Sequence, residues 1–128
     1  NNGIYANNGQ YANNGKLIQH VSRHRISATL PNDGHIVFSR KSFKDLAKKI
    51  SSFFSLSGIY DCDLMNDKNG NLKILEINPR QSGSIAISMC AGINFYDQIF
   101  SLMRKKKIKI FSKIRTTKIL PTVSLKKI

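Results

Sequence analysis

The chain has 128 residues, 41% of them hydrophobic, which bounds it to about one globular domain. No apolar run approaches the roughly 20 residues needed to cross a bilayer, and the uncharged, largely polar start does not read as a signal peptide. Ten of the 21 Lys/Arg fall in residues 104–128, where there is no acid, so most of the net charge of +14 sits at that end and residues 1–103 carry only +4. Such a tail suits a polyanion through counterion release or serves as a solvated lysine-rich surface. Cys62 and Cys90 form neither a CxxC motif nor a disulfide framework, and a reducing cytoplasm is the expected setting.

The first residues repeat Asn-Asn-Gly at 1–3, 7–9 and 13–15, with Tyr-Ala between the copies. Asn-Gly is a strong hairpin signal, but three short copies bury no core. Residues 1–12 are therefore expected to form a flexible lead, with only the last copy part of the fold. A strand over 16–20 leaves the Asn14-Gly15 turn, and the stretch 21–26 carries Arg23, His24 and Arg25. A loop at 30–34 and a short apolar piece at 36–38 follow.

Residues 42–56 give the clearest helix. Ser42 followed by Asp45 is a variant of the capping box. Phe43, Leu46, Ala47, Ile50, Phe53 and Phe54 fall on one stripe at helical spacing and are expected in the core. Gly58 stops the helix. Two strands come next, 59–65 and 72–78, joined around 66–70. Ser82-Gly83-Ser84 opens a small-residue helix that runs to about Ala91, with a cap or an anion site as alternative uses of that turn. Asn94 and Asp97 start a further helix over 95–104. The β-branched runs at 108–111 and 119–123 could add strands.

The chemistry concentrates in the hairpin. With Asn69-Gly70 as a two-residue type I′ loop, Asp63 faces Glu76 and Asp61 faces Asn78. Side chains alternate along a strand, so all four project from one face. A four-residue loop at 67–70 would keep that face, whereas an odd-length loop or a bulge would break it. Carboxylates set opposite one another repel, so such a cluster holds a cation nearby or gives up part of its charge. Two or three carboxylates and an amide suit Mg²⁺, which takes oxygen ligands and completes its shell with nucleotide phosphates. An exposed polar face of a surface hairpin is the plain alternative. His20, His24 and His35 add no zinc site, because no compact His/Cys set accompanies them.

Over 58–65, 67–70 and 74–84 (Gly58-Ile59-Tyr60-Asp61-Cys62-Asp63 to Glu76-Ile77-Asn78-Pro79-Arg80-Gln81-Ser82-Gly83-Ser84) the sequence resembles the ATP-grasp superfamily. The carbamoyl-phosphate-synthase-like branch of carboxylate–amine ligases is the nearest in flavour. The resemblance spans roughly residues 13–103. It implies an α+β fold, the C-terminal subdomain of an ATP-grasp unit, in which helices pack on an antiparallel sheet, with a basic tail from 104 on. It further implies that Asp63, Glu76 and Asn78 are metal ligands holding Mg²⁺ (or Mn²⁺) against the β- and γ-phosphates of ATP. Arg80 would be the catalytic side chain, meeting phosphate or an acyl phosphate through its planar fork of donors. Asp61 has no firm counterpart and is kept as an electrostatic support. Arg23 and Arg25 are weaker candidates for the same site, with solvated charges on a strand edge as the alternative.

The implied reaction is an ATP-dependent carboxylate–amine (or carboxylate–thiol) ligation through an acyl phosphate. Its partners would be ATP, a carboxylate substrate and an amine acceptor, with homo-oligomers admitted and no membrane contact. The phosphate loop, nucleotide-contacting lysines and adenine hinge of the first subdomain are not found. The chain is therefore expected to be one part of the catalytic unit, inactive without the N-terminal half or a partner chain that supplies it. The competing readings are a basic nucleic-acid-binding module, which lacks a nucleic-acid fold signature, and a ligase relative that has lost activity.

Overall fold

In a computed structural model, which describes residues 5–27, 34–111 and 113–122, the chain forms an α+β fold with helices on both faces of an antiparallel sheet. The strands are β1 (Tyr5–Asn13), β2 (Lys16–Arg25), β3 (His35–Phe38), β4 (Gly58–Asn66), β5 (Leu72–Asn78) and β6 (Thr117–Ile119). Their order is β5-β4-β1-β2-β3-β6. The helices are α1 (Lys41–Phe53), α2 (Ile85–Cys90) and α3 (Phe95–Met103).

Two hairpins build the sheet, and β1 joins them by pairing with β2 on one side and β4 on the other. The β1–β2 hairpin turns at Asn14 and Gly15, with φ of 48° and 75°. Those two positive values are the type I′ signature that Asn-Gly supplies at low cost. The expected flexible lead at 1–12 thus overlaps an observed strand over Tyr5–Asn13; residues 1–4 lie outside the described residues. The physical reason is pairing: β1 has a partner on both sides, which the repeat by itself does not reveal.

Helix α1 covers one face. Its Phe43 and Ile50 pack with Ala12, Tyr60, Cys62 and Leu64 in one core cluster. Burying each of the two larger side chains stabilises the fold by about 1.5–3 kcal/mol. The helix starts one residue earlier than the sequence pattern predicts: Arg40 stands at the N-cap and makes no side-chain cap bond, so Ser42 does not cap. The buried stripe also ends sooner. It drifts onto Ser51, whose hydroxyl donates to the Ala47 carbonyl at 2.8 Å and lies 2.8 Å from the Tyr60 hydroxyl. Phe53 and Phe54 remain 82% and 55% exposed, stacked edge to face on one another instead of filling the core. Phe54 is already the C-cap, where the helical period that defined the stripe no longer holds.

The opposite face carries α2 and α3. Ile93 and Phe95 pack against Tyr11, Val21 and Val37. Asn94 caps α3 by accepting from the Tyr96 and Asp97 backbone N–H groups. Beyond Met103 the chain returns to the same face, where Phe111, Ile114 and Ile119 pack on this second cluster. Buried Gln19 clamps it there, donating to the Phe111 carbonyl at 3.1 Å and accepting from the Phe111 N–H at 2.9 Å. Buried Gln98 bridges Gln19 Oε1 to the Lys109 carbonyl. The segment from 104 expected as a tail therefore supplies core contacts and the edge strand β6, paired with β3.

Candidate functional site

Strands β4 and β5 pair with Asp63 opposite Glu76 and Asp61 opposite Asn78, the two pairings expected from the sequence. The route to them differs. The turn is a five-residue loop, Asp67 to Asn71, between the paired Asn66 and Leu72. Asp67 organises it: its carboxylate accepts from the Asn69 and Asn71 N–H groups at 2.9 and 2.8 Å, which holds its carboxyl below the usual range. An aspartate turn of this kind competes with the type I′ alternative. An odd loop alone would turn Glu76 and Asn78 to the other face. The ladder corrects this with a register shift between Asp63 and Leu64, where Leu75 is the extra residue on β5. Odd loop and bulge cancel, and the acidic set stays on one face.

That face opens on a pocket of about 500 Å³ between the sheet and the turn into α2. Asp61, Asp63, Glu76, Asn78 and Arg80 all line it, together with Arg25 and Ser82-Gly83-Ser84. Each of the four residues singled out for metal and phosphate chemistry is thus brought to one cavity. Glu76 and Arg80 are exposed and Asp63 and Asn78 half-buried, so the set is accessible from solvent. Arg80 donates to the Gln81 carbonyl at 3.0 Å, one bond for a group with several donors.

Arg23 is not at a strand edge. It is fully buried on the central strand β2, donating to Asp61 Oδ1 at 3.2 Å and to Ser88 Oγ on α2 at 2.7 Å. Burial pulls its pKa down, and the charges of Asp61 and Asp63 oppose that shift. The neighbouring cation that the carboxylate cluster requires is therefore built into the sheet. Sequence reasoning also missed His35, which is buried in the pocket wall with neither ring nitrogen hydrogen-bonded, and Pro121, contributed by the returning segment. Burial first, then the charges of Arg23, Arg25 and His24, lower the His35 pKa to about 4. The only signal for His35 was strand parity: it shares a face with Val37, which points to the second core.

Among the described residues no group of three or more His, Cys, Asp or Glu side chains could hold a metal ion by itself. Asp61 turns to Arg23 instead of completing such a trio. Two carboxylates and one amide facing an open pocket remain. That set fits a divalent ion whose other ligands are nucleotide phosphates and water.

Residues 10–122 match the family described as ATP-grasp in the biosynthetic pathway with Ter operon. The chain belongs to that ATP-grasp family. The matched span runs past residue 103, which places the returning segment and β6 inside the family's domain. No curated protein matches the sequence. Among solved structures, a biotin carboxylase complex with β,γ-ATP from Campylobacter jejuni is similar over 91% of this chain, at a TM-score of 0.55 and 15% identity. The likeness supports an ATP-grasp fold, and this chain spans 28% of the length of that protein. Among the described residues no helix is long and apolar enough to cross a membrane.

Proposed function

We propose that this ATP-grasp chain is the Mg²⁺- and ATP-binding portion of an ATP-dependent carboxylate–amine or carboxylate–thiol ligase that works through an acyl phosphate. The observation that carries the reading is the direct pairing of Asp63 with Glu76, beside Asn78 and Arg80, on the wall of one pocket. Asp63, Glu76 and Asn78 would hold the divalent ion, which neutralises phosphate charge and orients it when bound. Arg80 would fork onto a phosphoryl oxygen and stabilise the charge that develops as the γ-phosphoryl moves to the substrate carboxylate. The amine or thiol then displaces phosphate from the acyl phosphate. Arg25 lies on the same pocket and adds a second cation for an anionic substrate.

The first subdomain or a partner chain supplies the other side of the nucleotide. The isolated chain should accordingly bind Mg·ATP weakly and turn over no substrate. NMR of the isolated chain with Mn·ATP tests the site directly. Paramagnetic broadening should centre on Asp63, Glu76 and Asn78 and should vanish in Glu76→Gln. Broadening centred elsewhere, or unchanged in Glu76→Gln, refutes the site; sub-micromolar Mg·ATP affinity refutes the need for another half.

A further inference from the structure

The strand register puts Arg23 in a position where two acids compete for it. Across the sheet, Arg23 on β2 is level with Asn7 on β1 and, through it, with Asp63 on β4. Asp61 lies one pleat away, level with Gly9 and Val21. Crossing β1 means spanning two inter-strand steps, roughly 9–10 Å, which a fully extended arginine can reach. Gly9, which has no side chain, stands on the diagonal path to Asp61. The guanidinium takes that diagonal: its 3.2 Å contact is with Asp61, and its other arm holds Ser88 at 2.7 Å.

We propose that Asp61 and Arg23 form a positioning pair for the metal site, in which Asp61 captures a buried guanidinium that would otherwise close on Asp63. This rests on the reading of Asp63, Glu76 and Asn78 as the metal-binding set. Three acids and one buried arginine leave the cluster two negative charges, matched to one divalent cation. Both Asp61 and Asp63 favour the charged Arg23 against the effect of its burial. A guanidinium bonded to Asp63 would occupy the oxygens a cation needs and repel the cation at short range. Asp61 therefore acts on metal binding without being a ligand. Through Ser88 the same arginine holds α2, whose leading turn, Ser82-Gly83-Ser84, forms the far wall of the pocket.

The test is Mn·ATP titration of the full chain, followed by water-proton relaxation, in four forms: unsubstituted, Asp61→Asn, Arg23→Met and the double variant. Thermal unfolding of each is recorded in parallel. Asp61→Asn should weaken Mn·ATP binding by at least about tenfold, because Arg23 then turns on Asp63. Adding Arg23→Met to that variant should restore affinity to within about threefold, since the cluster regains two negative charges and loses the competitor. Arg23→Met alone should not weaken binding. Asp61→Asn should also unfold at lower temperature than the double variant, because one unpaired buried charge costs more than none. Binding by Asp61→Asn that is unchanged overturns the proposal, as does failure of Arg23→Met to rescue it, which would make Asp61 a ligand. Glu76→Gln serves as the control. If it binds Mn·ATP as well as the unsubstituted chain, the metal site itself is misplaced, a failure distinct from that of the pair.

Discussion

Acid should unfold this domain through two buried histidines. His20 and His35 lie on opposite faces of the sheet, and both have pKa values lowered from 6.5 to about 4, chiefly by burial. Lys44 adds to the shift at His20; Arg23, Arg25 and His24 add to it at His35. Between those two values the unfolded chain binds more protons than the folded one. Stability is therefore complete above about pH 6.5 and falls as the pH drops towards 4. From pH 7 to pH 5 each histidine should remove about 2 kcal/mol and the pair about 4 kcal/mol. A domain of this size is stable by about 5–15 kcal/mol in all, so the loss is large. Urea unfolding at pH 7, 6 and 5 measures it, with His20→Gln/His35→Leu as the comparison. The doubly substituted chain should show a stability profile flatter by about 4 kcal/mol over that interval. Parallel profiles for the two chains, or imidazole protons that titrate near their ordinary pH in the folded protein, would refute the reasoning.

Other outcomes follow from the packing. Burial, reinforced by Asp61 and Asp63, pushes the Cys62 thiol up to about 12, while Cys90 is exposed. A thiol reagent at mildly alkaline pH should therefore label Cys90 alone until denaturant is added. Gln19→Leu leaves the Phe111 amide and carbonyl without their partner, and should cost about 2 kcal/mol or more and speed hydrogen exchange at Phe111. Phe53→Ser should change stability by no more than about 0.5 kcal/mol, because the ring is largely exposed. Phe43→Ser, in the buried cluster, should cost about 3 kcal/mol or more in the same urea assay.

The pairing of Asp63 with Glu76 was legible in the sequence because strand alternation and a Gly-containing turn constrain it locally. It was legible for an incomplete reason, since the odd loop set by Asp67 and the bulge at Leu75 had to offset one another. The α1 helix, the Asn94 cap and the Asn14-Gly15 turn were likewise readable, each depending on residues within a few positions of one another. Phe53 and Phe54 were misplaced because helical period shows which side a residue is on but not where the sheet beneath it ends.

What the amino-acid order determined by itself was local: the hairpin, its acidic face and the Glu-x-Asn-x-Arg run that belongs to ATP-grasp domains. Tertiary structure alone decided that β1 inserts between β2 and β4. That insertion brings Arg23 to Asp61 across 38 positions of sequence and buries it there. The same holds for the returning segment, clamped by Gln19 across 92 positions. Alternation and period carry information over a few residues, whereas strand order is set by which apolar faces can be covered together, a property of the whole chain.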